Sequence, residues 1–165
     1  MALVLRVAAP HEVGRVGELT LQAYRDGPAL HDAHGSYAAS LVDAGPRAEQ
    51  AELLVAEDED RPGELLATVT LCRVGTPWAE IARPGEVELR MLAVSPDHRR
   101  RGLARAMMAE LRARAAAEGL VLVVSVIDDN GPAHALYRSL GFRRQPDRDW
   151  LPEPDARLQV YRDRS

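Results

Sequence analysis

The chain has 165 residues, a formal charge of −4, 46% hydrophobic residues and 28% charged residues. That length fits one domain with a sizeable core, and that composition excludes a disordered or fibrous chain. The negative balance argues against general binding to nucleic acid or anionic membranes, both of which need a broad positive surface.

Every basic residue is arginine, a compositional bias with no functional weight. Cys72 is the sole cysteine, so no intrachain disulfide can form, and its place in an apolar alternating run suits a buried structural thiol. The opening Met1 to Val7 lacks a basic lead-in, and Arg6 interrupts it too early for a secretory signal. The longest apolar stretch, Leu120 to Ile127, falls far short of the roughly 20 residues that span a bilayer. A cytoplasmic protein is expected.

Leu3 to Val7 predicts a strand, and Pro10 opens a helix whose Val13, Val16, Leu19, Leu21 and Tyr24 share a face until Gly27-Pro28 stops it. From there to Pro46 the sequence suggests a loop with one short helix. Leu53 to Ala56 and Leu65 to Arg73 read as antiparallel strands joined through the turn formers Asp58 to Gly63. A loop through Gly75, Pro77 and Pro84 leads to a central strand, Val87 to Val94, ended by Ser95-Pro96. Helical spacing runs from Gly102 through Leu103, Met107, Leu111 and Ala115 to a Gly119 cap. The branched aliphatics of Leu120 to Ile127 suit a strand buried on both faces and parallel to the one before the helix. A second helix, Pro132 to Leu140, ends at Gly141, and short strands follow at Phe142 to Gln145 and Leu158 to Arg162. The expected class is a single α/β domain with a central mixed sheet flanked by helices.

The join between strand and helix, Ser95 to Ala104, carries specific chemistry. A helix's first turn leaves up to four N–H groups unpaired and carries about half a positive charge, which suits a diphosphate. Gly102 and Ala104 keep that approach clear, and Arg99, Arg100 and Arg101 add charge. A solvated charged turn would have the same composition. The spacing Arg99-x-x-Gly102-x-Ala104 resembles the coenzyme loop of the GNAT superfamily of N-acetyltransferases, in which backbone amides, here including that of Leu103, cradle the diphosphate of acetyl-CoA. A nucleotide P-loop would instead need a lysine, and the chain has none.

Asn130-Gly131-Pro132-Ala133-His134-Ala135-Leu136-Tyr137-Arg138-Ser139-Leu140-Gly141-Phe142 matches the superfamily's Asn-x-x-Ala-x-x-Leu-Tyr-x-x-x-Gly-Phe segment at every named position. The residues themselves describe a helix with Ala133, Leu136 and Leu140 on one face, beside which Tyr137 could simply fill core. The resemblance instead implies that Tyr137 is the acid that protonates the departing thiolate, for which a phenol with a reference pKa near 10 is suited. Asn130 either contacts the pantetheine arm, as the resemblance implies, or caps this helix.

An alkylamine must lose a proton before it attacks a thioester. Alternation puts Glu86, Glu88 and Arg90 on one face of the central strand. Glu88 falls where catalytic glutamates of several superfamily members fall and is the preferred base, with Glu86, a water relay, or a purely structural polar face as alternatives. The resemblance further implies that Leu92, Ala93 and Val94 bind the pantetheine and present an N–H to the oxyanion of a direct, ternary-complex transfer. The implied fold is the GNAT-like acyl-CoA N-acyltransferase fold, and its motifs cover residues 86 to 142. Acetyl-CoA and a small-molecule amine are the expected partners, with no metal, nucleic acid or membrane, and a homodimer stays open.

Other candidates are weaker. His31 and His34 lack a third metal ligand at recognisable spacing. Trp78 and Trp150 could line a pocket or cover the sheet, and Asp149, in a loop before the last strand, is a candidate amine contact. The competing functions are an acyl-CoA sensor without catalysis and a nucleotide-binding α/β protein using the arginine loop.

Overall fold

The computed structural model describes residues 2–25 and 36–164. Expectations that fall on Gly27-Pro28, His31 and His34 lie outside the described residues. Strand β1 (Leu3–Val7) pairs antiparallel with β2 (Glu52–Asp58), and β2 with β3 (Arg61–Arg73). Asp58 faces Arg61 across that second pair, so the turn is the dipeptide Glu59-Asp60 and the strands reach further than the composition suggested. Strand β4 (Glu86–Val94) pairs antiparallel with β3 and parallel with β5 (Val121–Ile127), as the crossover between them required.

The helices are α1 (Val13–Arg25), α2 (Ser36–Val42), α3 (Gly45–Gln50), α4 (Leu103–Ala117) and α5 (Gly131–Ser139). The one short helix expected before β2 is thus two among the described residues, broken where Pro46 sits in the first turn of α3. After α5 come β6 (Arg143–Arg144), β7 (Trp150–Glu153) and β8 (Ala156–Arg162), with β8 lying between β5 and β6. Trp150, next to Asp149, opens β7, because it pairs with Leu158 in a hairpin.

Two layers cover the sheet. On one face Ala67, Val69, Leu71, Val87 and Leu89 pack against Met107, Met108 and Leu111 of α4. Burying each such α4 side chain is worth about 1.5–3 kcal/mol. On the other face Leu53, Val55, Leu65 and Ala93 pack against Val16 and Leu19 of α1. Alternation then sends Thr68, Thr70, Cys72, Glu86, Glu88 and Arg90 to the α1–α3 side. Among them the glutamates are buried rather than solvated. No helix among the described residues is long and apolar enough to cross a membrane.

Candidate active site

Strands β4 and β5 pair only from Glu86 with Val121 to Glu88 with Val123. Beyond Glu88 they separate, and β3 shows why. Thr70 pairs with Arg90 and Thr68 with Ala93, so Met91 and Leu92 together oppose Val69 in a β-bulge. Met91 has φ 54°, a left-handed conformation that costs a non-glycine residue about 1–2 kcal/mol. The bulge bends β4 away from β5 and leaves Leu92, Ala93 and Val94 without a strand partner on that side.

The open end of this gap meets the start of α4. Arg100 has φ 62° and Gly102 φ 74°, and the loop turns through them into the helix without any side-chain cap. The first intrahelical bond runs from the Ala106 N–H to the Gly102 carbonyl, so the amides of Gly102, Leu103, Ala104 and Arg105 point outward. Arg99 donates to the Ala23 carbonyl at 3.0 Å and ties the loop to α1, while Arg100 and Arg101 are exposed. These are the features a diphosphate needs, namely free amides, a helix N-terminus, a small residue at the turn and nearby cations.

Tyr137 lies in the core beside Phe142 and Tyr161, with ring centroids 5.3 and 6.1 Å away. Its hydroxyl has no hydrogen-bond partner among the described residues, and burial pushes its pKa well above the ordinary phenol value. Burial first, then the neighbouring phenols of Tyr37 and Tyr137, raise Tyr24 of α1 as well. Asn130 caps α5 by accepting from the Ala133 N–H at 3.3 Å, which realises the capping alternative. His134, one turn before Tyr137, was not singled out by its sequence position. Its Nε2 donates to the carbonyls of Ile127 and Asp128 at 3.0 and 3.1 Å, which fixes the tautomer. Its Nδ1 shares a hydrogen bond with the Tyr161 hydroxyl at 2.6 Å.

The two glutamates have different surroundings. Glu86 accepts from both Nη atoms of Arg148 at 2.9 and 2.8 Å, from Arg162 Nε at 2.8 Å and from the Arg83 amide at 3.0 Å. Burial would raise its pKa, but these donors outweigh that and lower it. Glu88 has a single oxygen, Oε1, held by the amides of Glu80, Ile81 and Ala82 at 2.8, 2.7 and 3.1 Å. Burial raises its pKa, and those amides pull back only in part. Arg90 pairs with Glu80 at 2.7 Å and lies over the Trp78 ring at 5.3 Å, so the loop before β4 is fastened to this face.

Asp149 is not free to meet an amine, because Arg144 and Arg157 pair with it at 2.7 and 3.1 Å and the Val160 amide donates to it. Trp78 donates to Gln50 at the end of α3 and Trp150 to Ser125 of β5, so one ring is fixed to a helix and the other to the sheet by its indole N–H. The Cys72 thiol is buried and pushed up to about 12, so it is not a thiolate.

A bent central strand parted from its parallel neighbour, with an uncapped helix at the mouth, defines this chain as a mixed α/β protein with an open cleft in its sheet. Residues 18–142 match the Acetyltransferase (GNAT) family, and the chain belongs to that family. Solved structures of the same fold include the PaiA N-acetyltransferase of Thermoplasma acidophilum in complex with coenzyme A, 12% identical with TM-score 0.71 over 97% of this chain and 98% of that one. A GNAT-family acetyltransferase of Staphylococcus aureus Mu50 is 13% identical with TM-score 0.71 over 98% of each chain. YncA of Salmonella typhimurium, solved with its cofactor acetyl-CoA, is 19% identical with TM-score 0.63 over 98% of this chain and 93% of that one. No curated protein sequence matches the chain.

Proposed function

We propose that this protein transfers an acetyl group from acetyl-CoA to the primary amine of a small molecule, by direct attack in a ternary complex. The observation that carries the reading is the gap between β4 and β5, bent open at Met91 and leading to the free amides at the start of α4. Relatives in fold have been solved with coenzyme A and with acetyl-CoA, which supports that ligand for this gap.

In this reading the amides of Gly102, Leu103 and Ala104 hold the diphosphate, with Arg99, Arg100 and Arg101 around it. The backbone of Leu92, Ala93 and Val94 holds the pantetheine and offers an N–H to the thioester oxygen, while the Asn130 amide group reaches the same arm. Glu88 takes the proton from the acceptor ammonium, directly or through a water. Its Oε1 is fixed by three amides and Oε2 is left for that contact. A raised pKa brings such a base closer to the neutral range where it must work. Glu86, saturated by two arginines, serves the sheet instead. Tyr137 keeps its proton at neutral pH and delivers it, or a hydrogen bond, to the leaving sulfur.

Isothermal titration with acetyl-CoA and with ATP, followed by thiol release across an amine panel, tests this. Acetyl-CoA binding with amine-dependent thiol release is expected. Coenzyme binding without turnover would favour an acyl-CoA sensor, and no coenzyme binding at all would overturn the reading.

A further inference from the structure

On the side of the sheet that carries Glu88 lies a buried charge with no ion-pair partner among the described residues. Arg47 of α3 is fully buried. A guanidinium has five N–H donors. Arg47 Nη1 and Nη2 donate to the carbonyls of Ser40 and Leu41 near the end of α2, while its Nε has no partner and the side chain forms no ion pair among the described residues. The charged or titratable groups that act on it are the phenols of Tyr24 and Tyr37, the like charge of Arg90, and the exposed carboxylate of Asp43.

Burying an unpaired cation is costly, and the carbonyl end of a helix offsets only part of that cost. A second unpartnered donor lies on the same face, since Thr70 is buried with its hydroxyl unbonded and stands beside Arg90 in the β3–β4 register. Tyr24 and Tyr37 meet edge to face at 6.3 Å, and Tyr37 is 43% exposed, so the cluster runs from the surface down to Arg47. Glu88 lies on the same side: it and Arg90 project from one face of β4, Arg90 lies over the Trp78 ring, and Trp78 is tied to Gln50 of α3, the helix that carries Arg47.

We propose that the acceptor amine carries a carboxylate, as an amino acid does, and that Arg47 binds this carboxylate while Glu88 receives the amine. This rests on the transferase reading and names the substrate class of that site. An anion supplies what the buried guanidinium lacks, and a zwitterion placed between a cation and a carboxylate can enter in one orientation only. A neutral alkylamine would leave Arg47 as it stands and meet no such filter.

The test compares each of several α-amino acids with its own amide. The two share amine and side chain, and the amide's less basic amine biases reactivity against the proposal. Wild-type kcat/KM for the acid should exceed that for the amide by about 10–100-fold, the range expected for a buried charge-assisted pair. Arg47→Gln should raise KM for the acid by a similar factor and leave that for the amide within about threefold. Arg47→Lys, which keeps the charge but not the fork, should fall between them. Equal use of acids and amides by the wild type, or equal losses for both in Arg47→Gln, would overturn the proposal. Thermal unfolding of the wild type without coenzyme supplies a second readout, in which the acid and not the amide should raise Tm. That readout decides the carboxylate site even if no amine is acetylated, an outcome that would count against the transferase reading instead.

Discussion

Gly17 sits in the middle of α1 with the end of α2 directly against it. A Cβ built there would lie 1.8 Å from the Val42 carbonyl oxygen and 2.7 Å from its carbon. Two effects of Gly17→Ala oppose each other. Alanine favours a helix interior over glycine by about 1 kcal/mol. Against that, the methyl meets backbone, which cannot rotate aside, and reaching even 3.0 Å from 1.8 Å requires α2 to retreat by about 1.2 Å. Overpacking costs about 1–3 kcal/mol, and a contact this short against backbone belongs at the upper end, so a net loss of about 2 kcal/mol is expected. Gly14 is the control, one turn earlier in the same helix, with nothing within 4 Å of its Cβ position. Gly14→Ala should be neutral or stabilising. Urea unfolding of both variants at constant m measures the difference. Because α2 supplies the carbonyls that hold Arg47, Gly17→Ala should also raise the acceptor KM while leaving coenzyme affinity nearly unchanged. If Gly17→Ala proves as stable as Gly14→Ala, the close approach of α1 and α2 is wrong, and with it the placement of Arg47.

Three more outcomes follow from the same geometry. Tyr137→Phe removes from a mostly buried ring a hydroxyl that has no partner among the described residues, so stability should change by less than about 1 kcal/mol while kcat falls on the order of 100-fold; a loss of stability without a loss of kcat would contradict its role. Glu88→Gln can keep its amide contacts through the side-chain oxygen. It should lower kcat by about 100-fold or more, and it should abolish a rise of kcat/KM with pH that centres above the usual 4.5 of a glutamate. Glu12 and Asp149 are held at about 2, by Arg6 and Arg144 respectively, below ordinary values of 4.5 and 3.8. Groups with depressed folded pKa values stabilise above the unfolded pKa, so on the order of 2–3 kcal/mol from each should be lost as pH falls from about 5 toward 2, as denaturant titrations at stepped pH would show.

What the sequence revealed depended on how local the cause was. The phosphate loop and the Asn130 to Phe142 segment are contiguous, and each residue's role there is set by neighbours within a turn or two. The β4–β5 parallel pair followed from a strand, helix and strand in succession. The bulge at Met91 did not, because methionine carries no signal for a left-handed φ and the bend is imposed by its pairing with β3. Arg47 was invisible for a related reason, since nothing in an arginine-only set of cations marks the one that is buried. The His134–Tyr161 contact joins residues from a helix and a distant strand, which only the order β5-β8-β6 brings together. Glu86 and Glu88 looked alike in an alternating strand. Their surroundings separate them, one saturated by arginines from later in the chain and the other held at a single oxygen by amides of the preceding loop.

The short contact between β4 and β5 also sets the mechanics of the whole sheet. Strands β1 to β4 lie on one side of it and β5 to β8 on the other, joined by pairs at Glu86, Val87 and Glu88 alone. Glu86 stands at that join, and the two arginines gripping it, Arg148 and Arg162, both belong to the far half. Within the sheet the two halves are therefore hinged at one edge, with α4 packed across both and one carboxylate at the closed end. A long, thin ligand entering the seam would meet unpaired backbone along its length and a closed end clamped by the Glu86 ion pairs.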